Sequence, residues 1–223
     1  MLSDLPDIPD EFIGRRAELD HLADTLERRR LVTLTGVGGV GKSRLALHAA
    51  HAVRADRGRE VIWAELWPLR DDRLLTATVA GAAGFADHTA ALPLDVLCVW
   101  LAGQDAVLVL DSCEHLLSSC RHLAARLLTA CPSLTVPATS RAALEVPGEL
   151  LVTVGPLPAA TDGPGRPRDG RPAVRVAGGH SAGAGTGRGP SGTAHDHPRR
   201  GRAVLRDPES VLRDLLDGSG RSR

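Results

Sequence analysis

The fold of this chain is decided by residues 36–43, Gly36-Val37-Gly38-Gly39-Val40-Gly41-Lys42-Ser43. This stretch fits the pattern G-x-x-x-x-G-K-[ST], in which glycines let backbone N–H groups turn inward around phosphate oxygens. Lys42 is placed to reach the β- and γ-phosphates of a nucleoside triphosphate, and the Ser43 hydroxyl is placed to ligate Mg²⁺. A plain glycine turn is the alternative, but a strand pattern before the loop and a helical pattern after it favour phosphate binding. We therefore predict that all eight residues line a nucleotide site, with ATP the expected ligand.

Apolar runs alternate with amphipathic stretches on both sides of this loop. The run at residues 31–35 carries no charge and is rich in β-branched residues, which is typical of a strand buried on both faces. Similar runs predict further strands at residues 61–66, 106–110, 134–139 and 150–154. Helical patterns cover residues 15–29, 43–54, 72–83, 93–102 and 115–130. Strands that alternate with helices predict an α/β fold, a three-layer P-loop NTPase core with a five-stranded parallel sheet.

The composition restricts the class of protein. Apolar residues make up 43% of the chain, but no apolar run is long enough to span a bilayer, so we expect a soluble cytoplasmic protein with no membrane partner. Residues 1–158 carry 15 basic and 20 acidic side chains, which argues against a broadly basic nucleic-acid surface there. The cysteines lack metal-ligand spacing, and we expect them to be small buried hydrophobic residues. They are Cys98, Cys113, Cys120 and Cys131.

The strand and helix patterns stop after Pro158. Residues 159–223 are dominated by Gly, Pro, Ala, Arg and Ser, which cannot bury enough apolar surface to offset the entropy cost of ordering. We expect a largely disordered tail, without the aromatic residues that specific nucleic-acid binding would use. The abrupt change is also what an out-of-frame reading of a GC-rich gene produces. The predicted organisation is an N-terminal leader over residues 1–11, a P-loop NTPase domain over 12–158 and this tail.

Two carboxylates follow the predicted strand at residues 106–110. Asp111 closes the apolar run, where the Walker B aspartate of P-loop NTPases holds the Mg²⁺ shell. Glu114 is placed to polarise an attacking water. Both have a structural alternative, because Asp111 could cap the next helix and Glu114 could complete a capping box with Ser112 or Asp111. The phosphate loop upstream favours the metal and catalytic roles.

Arg141 follows the fourth predicted strand. In a sheet of this order, that strand lies between the strands that carry the phosphate loop and Asp111, so its carboxyl end faces the γ-phosphate. Arg141 is therefore predicted to sense the γ-phosphate through a bidentate contact, with a plain surface arginine as the alternative. Pro137 lies inside the same strand and removes a hydrogen-bond donor from a central position. We expect local strain near Arg141 as a result.

As a set, these motifs resemble the STAND class of P-loop ATPases. Within that class the chain is most similar to the NB-ARC-like nucleotide-binding domain of large bacterial LuxR-type transcriptional regulators. The resemblance covers about residues 11–158 and rests on Phe12-Ile13-Gly14-Arg15, the phosphate loop, LVLDSCEH at 108–115, ATSR at 138–141 and VPGELLVTVGPLP at 146–158. It implies that Phe12, Ile13, Gly14 and Arg15 lie near the adenine and ribose. It also implies that Arg141 is the first sensor, and that exchange of ATP for ADP switches the assembly state.

The resemblance implies an ATP/ADP-binding regulatory module with slow Mg²⁺-dependent hydrolysis of ATP. The helical lid and winged helix of that family have no counterpart in residues 159–223, so we expect a truncated module. Self-association and the regulation of DNA are then expected of a parent protein with further domains. Two alternatives stay open: a remnant that binds nucleotide weakly or not at all, and a stand-alone P-loop kinase or NTPase. The residues also leave open whether ATP is hydrolysed.

Overall fold

The structure is a computed structural model that describes residues 5–8, 14–85, 94–157 and 174–176. Phe12 and Ile13 lie outside the described residues, as do most of the leader over 1–11 and most of the tail over 159–223. The described part contains five α-helices, six strands and two short 3₁₀ turns. They are α1 (Arg16–Arg28), β1 (Leu31–Thr35), α2 (Lys42–Arg57), β2 (Glu60–Glu65), a 3₁₀ turn (Asp72–Leu74), α3 (Leu75–Ala82), α4 (Leu94–Ala102), β3 (Ala106–Asp111), a second 3₁₀ turn (Cys113–His115), α5 (Leu117–Ala130), β4 (Val136–Ser140), β5 (Leu150–Thr153) and β6 (Val174–Val176).

The strands form one sheet in the order β2-β3-β4-β1-β5-β6. Strands β1 to β5 are parallel, which confirms the predicted five-stranded parallel sheet, and β4 lies between β1 and β3 as expected. β6 pairs antiparallel with β5 and was not predicted, because it comes from the stretch expected to be disordered. Parallel strands end at the same edge of a sheet, so the residues that follow β1, β3 and β4 meet there.

Helices cover both faces of this sheet, and the side chains of β3 alternate between the two faces. Leu108 and Leu110 pack in the apolar cluster formed with α3, α4 and α5. Val107 and Val109 pack in the second cluster, formed with α1 and α2. A strand covered on both faces must be apolar throughout, which explains the uninterrupted run in the sequence. The three-layer arrangement is confirmed.

Pro137 affects only one side of β4. β4 keeps five consecutive residue pairs with β1, among them Pro137 opposite Val32. Towards β3 the pairing is reduced to Leu110 with Ala138 and a single bridge between Val107 and Thr135. The N–H of Thr135 donates towards β3 and that of Val136 towards β1, so the nitrogen of residue 137 faces β3. The missing donor therefore weakens the β3–β4 ladder, while β4 continues as a regular strand to Ser140.

A buried carboxylate holds the turn between β4 and β5. Glu149 is fully buried, and its two oxygens accept hydrogen bonds from the backbone N–H groups of Leu144 and Glu145, both at 2.8 Å. These charge-assisted bonds stabilise a turn in which Glu145 adopts a left-handed φ of 58°. The turn leads the chain from Arg141, just past β4, back to the start of β5.

None of the helices in the described part of the chain is long and apolar enough to cross a membrane.

Candidate functional site

The loop at residues 36–41 joins β1 to α2 and needs glycine at both of its ends. A Cβ on Gly36 would lie 2.5 Å from the carbonyl oxygen of Val154, which is closer than side-chain atoms come to a backbone. Val154 is fixed at that place, because its N–H donates to the Thr35 carbonyl at 2.7 Å. Gly41 has a φ of 94° at the N-terminus of α2, a left-handed conformation that side chains disfavour.

This loop lies at the carboxyl end of β1, between the neighbouring strands β4 and β5. Strand, glycine loop and helix follow one another as the motif requires. β3, the strand that ends in Asp111, lies on the far side of β4, two positions from β1. The fold is that of the P-loop NTPases. Within it, the sequence-predicted site residues can be located one by one.

Lys42 begins α2, and its side chain folds back over the loop. The Nζ atom donates hydrogen bonds to the carbonyl oxygens of Gly36 and Val37, both at 2.9 Å, and the residue is only 8% exposed. The sole lysine of the chain thus holds its ammonium group at the mouth of the loop. Ser43 is the next residue, half-buried in the first turn of the helix. The structure brings these two residues together at the loop, as the motif predicts.

Asp111 ends β3 and is joined to β4 through a hydroxyl group. The Thr139 hydroxyl donates to Asp111 Oδ1 at 2.6 Å, and Thr139 Oγ1 in turn accepts the N–H of Ser112 at 2.8 Å. Ser112 adopts a left-handed φ of 67°, which turns the chain sharply after the strand. Asp111 is 5% exposed, and a buried carboxylate of this kind needs such partners to offset its desolvation.

Glu114 and Arg141 lie across this edge of the sheet from one another. Arg141 Nε is 3.6 Å from Glu114 Oε1, and the other oxygen, Oε2, is buried with no hydrogen-bond partner among the described residues. Arg141 also reaches the loop, since a Cβ on Gly38 would lie 3.3 Å from its Nη2. Its side chain is mostly exposed, so the ion pair itself stabilises the fold little. Arg141 therefore spans from Glu114 to the phosphate loop.

The capping alternatives for the two carboxylates do not describe the contacts that form. Asp111 accepts hydrogen bonds from hydroxyl groups, that of Thr139 and, at 3.5 Å, that of Ser112. In a capping box, Glu114 would accept the backbone N–H of Ser112 or Asp111. The Ser112 N–H donates to Thr139 instead, and Glu114 Oε2 has no hydrogen-bond partner among the described residues. Ser112, at the N-terminus of the 3₁₀ turn, makes no side-chain cap bond either.

In the motif that precedes α1, Phe12-Ile13-Gly14-Arg15, only Gly14 and Arg15 are described. Gly14 has a left-handed φ of 84°, and Arg15 is buried with its guanidinium bonded to carbonyl groups, one of them that of Val40 in the loop. The Arg15 side chain thus reaches the phosphate loop, whereas a Cβ on Gly14 would lie 3.5 Å from Leu157. The contact of this segment with adenine and ribose stays a prediction, with Phe12 and Ile13 outside the described residues.

Cys113 lies between the two carboxylates but is chemically inert. A hydrogen bond with Cys120 raises the pKa of the Cys113 thiol well above its ordinary value, and burial and the charges of Asp111 and Glu114 raise it further. A protonated, fully buried thiol is neither a nucleophile nor a metal ligand. All four cysteines are buried with free thiols, which confirms their predicted role as small hydrophobic residues.

Two contacts of the site could not be read from the sequence. The Thr139 hydroxyl is the partner of Asp111, and Gly38 allows Arg141 to approach the loop. The only signal was position: Thr139 lies one residue before the end of β4, the strand that neighbours β3, and a hydroxyl near this carboxyl edge can reach the carboxylate at the end of the next strand.

Comparison with known proteins gives relatives for part of the chain. No known protein-family profile matches it. The provisionally named HTH-type transcriptional regulator Rv0890c of Mycobacterium tuberculosis is 41% identical over 125 residues, which are 56% of this chain and 14% of that protein. The uncharacterized protein Rv0894 of the same organism is 37% identical over 154 residues, 68% of this chain and 38% of that protein. The chain thus spans between about a seventh and two fifths of these relatives.

Solved structures with a related arrangement are more distant. The ORC2 protein of Aeropyrum pernix in its ADP form is 18% identical with a TM-score of 0.48, over 61% of this chain and 44% of that one. A STAND protein with a tetratricopeptide repeat sensor, PH0952 from Pyrococcus horikoshii, is 17% identical with a TM-score of 0.46, over 64% of this chain and 23% of that one.

The bond between Thr139 and Asp111 can be tested by denaturation. Thr139→Val removes the hydroxyl that donates to Asp111 and accepts from Ser112, so it should lower the free energy of unfolding by about 2–4 kcal/mol. Thr139→Ser keeps the hydroxyl and should cost about 1 kcal/mol for the lost methyl group. Urea unfolding followed by circular dichroism measures both. Equal losses in the two variants would show that the hydroxyl contributes nothing.

Proposed function

We propose that this chain is a nucleotide-binding regulatory module that takes ATP or ADP together with Mg²⁺ at the loop over residues 36–43. The observation that carries the proposal is the convergence at one sheet edge of the Lys42 ammonium over the loop, the buried carboxylate of Asp111 and the Arg141 guanidinium against Gly38. A cation, a carboxylate and an arginine around a glycine loop at a helix N-terminus are the groups that a bound magnesium triphosphate needs.

The oxygen groups present at the site fit Mg²⁺. Asp111 offers one carboxylate and Ser43 one hydroxyl, both hard donors that magnesium prefers. The described residues contain no group of three or more His, Cys, Asp or Glu that could hold a metal by itself. That pattern suits Mg²⁺, which is commonly bound by one or two protein oxygens together with phosphate oxygens and water. When bound, the ion would screen the negative charge of the phosphates.

Glu114 and Arg141 are the two residues proposed to act at the γ-phosphate. Glu114 has a buried oxygen without a hydrogen-bond partner in the described part of the chain, which suits a group that accepts a proton from a water. The ion pair that Arg141 makes within the described part of the chain is long, at 3.6 Å, so its guanidinium can turn to a phosphate oxygen beside the loop at little cost. We propose slow hydrolysis with Glu114 as base and Arg141 as sensor.

The regulatory part of the proposal rests on the relatives. A protein named as an HTH-type transcriptional regulator is 41% identical over 125 residues. Together with the motif set, this supports a STAND-type, NB-ARC-like switch domain over residues 12–158 that belongs to a cytoplasmic transcriptional regulator. The control of DNA is attributed to other parts of such a regulator, because residues 1–158 carry 20 acidic and 15 basic side chains and so are acidic as a whole.

Nucleotide binding should depend on Lys42. Lys42→Ala removes the cation at the mouth of the loop, and we expect the dissociation constant for Mg-ATP to rise about tenfold or more, or ~1.4 kcal/mol. Arg54→Ala, an exposed position further along α2, is the matched control and should bind as the original chain does. Isothermal titration calorimetry measures both. Equal affinity of Lys42→Ala and the control for Mg-ATP would show that the nucleotide does not bind at this loop.

Glu114 should matter for turnover and not for affinity. A general base acts in the transition state, so Glu114→Gln should lower single-turnover ATP hydrolysis by about a hundredfold and change the dissociation constant for ATP by less than about threefold. The control is Glu145→Gln, at an exposed glutamate past β4, and it should leave turnover unchanged. Full turnover in Glu114→Gln would assign the base to another group.

A further inference from the structure

The Arg15 side chain makes hydrogen bonds to protein groups beside the phosphate loop. It lies just before α1 and is 5% exposed. Its Nη2 donates to the carbonyl of Val40 at 3.0 Å and to that of Gly155 at 2.7 Å, and its Nη1 lies 3.3 Å from Glu18 Oε1. A guanidinium nitrogen of this kind carries two hydrogens, so the bonds to the two carbonyls use both.

These bonds connect two segments that are far apart in the sequence. Val40 precedes Gly41 and Lys42 at the far end of the loop, and Gly155 follows β5. The same segment after β5 already contacts the near end of the loop, where the Val154 carbonyl lies against Gly36. Arg15 therefore adds a second attachment, so that both ends of the loop are held against the segment that follows β5.

We propose that Arg15 is a positioning residue that holds the phosphate-binding loop in its binding conformation, and that it makes no contact with adenine or ribose. This inference rests on the proposed function of the loop. Its basis is that buried carbonyls need donors, and that the Arg15 guanidinium bonds two carbonyls and a carboxylate in one fixed geometry. A loop held in advance binds phosphate more tightly, because less conformational entropy is lost on binding.

The proposal predicts which part of a nucleotide binds more weakly when Arg15 is replaced. If Arg15 acts through the loop, its removal weakens the binding of phosphate groups whether or not a nucleoside is attached to them. If Arg15 contacts adenine or ribose, its removal has no effect on a ligand that lacks both. Inorganic tripolyphosphate with Mg²⁺ is such a ligand and has the three phosphates of ATP.

The test is calorimetry of Mg-ATP and of Mg-tripolyphosphate with the full chain and three variants. Arg15→Ala should weaken the binding of both ligands by the same factor, about tenfold. Arg15→Lys should weaken both by nearly as much, since the shorter lysine side chain cannot place its ammonium group where the Nη1 and Nη2 atoms of Arg15 lie. Arg16→Ala is the matched control: Arg16 is 86% exposed and pairs only with Asp20 at 3.4 Å among the described residues, so it should change either affinity less than twofold.

Hydrogen exchange of the nucleotide-free proteins supplies a second readout that does not depend on ligand. In Arg15→Lys, exchange should speed up in peptides that cover residues 36–41 and stay unchanged in peptides that cover α5. Weakening of ATP without weakening of tripolyphosphate would overturn the proposal in favour of a base or ribose contact. Unchanged affinities, or exchange that rises evenly over the whole chain, would also overturn it. If the unmodified chain binds neither ligand, the proposed function fails first and the inference falls with it.

Discussion

The carbonyl oxygen of Val154 leaves no space for a side chain at residue 36, and the architecture of the site follows from that contact. The approach is this close because β5 pairs with β1 up to Thr35 and continues one residue further, where the Val154 N–H donates to the Thr35 carbonyl. The chain that leaves β1 must therefore turn away at once, which only glycine permits. The turn leads into Gly41 and α2, whose N-terminus then points its N–H groups into the loop.

Strand order assembles the other groups around this loop. β4 lies between β1 and β3, so the residues at its carboxyl end reach in both directions. On one side Thr139 donates to Asp111 at the end of β3, and further on Arg141 lies between Glu114 and Gly38. Gly38, the pair Asp111 and Glu114, and the pair Thr139 and Arg141 come from three separate parts of the sequence, and parallel strands that end at one edge bring them together.

The sequence predicted the elements well where a strong local signal marked them. The bounds of β1 match the prediction because an uncharged run is followed directly by the glycine loop. The starts of α3 and α5 were less accurate, since each is preceded by a 3₁₀ turn, Asp72–Leu74 and Cys113–His115, that a helical pattern does not distinguish. β6 was missed because three residues in a glycine-rich stretch carry no periodic signal, and its pairing depends on the edge offered by β5.

The site was predictable in its motif residues and not in the contacts that support them. Lys42 and Asp111 could be predicted from the motif and from the place of Asp111 after an apolar run, because phosphate binding needs a cation and Mg²⁺ binding needs an oxygen ligand at those positions. The hydroxyl of Thr139 and the guanidinium of Arg15 act through partners 28 and 140 residues away, and such long-range hydrogen bonds leave no mark on local sequence. Arg15 shows the difference most clearly, because its position in the motif suggested a ligand contact, whereas its bonds go to Val40 and Gly155.

The central claim is that the loop over residues 36–43 holds a magnesium nucleotide between β1, β3 and β4. It is tested most directly by a crystal structure of this chain grown with Mg²⁺ and a non-hydrolysable ATP analogue. The account predicts the triphosphate inside the loop, with Lys42 Nζ moved from the carbonyls of Gly36 and Val37 to the β- and γ-phosphate oxygens, and with Mg²⁺ between Ser43 and Asp111. An analogue bound elsewhere on the chain, or bound in the loop with Lys42 still on those carbonyls, would contradict it.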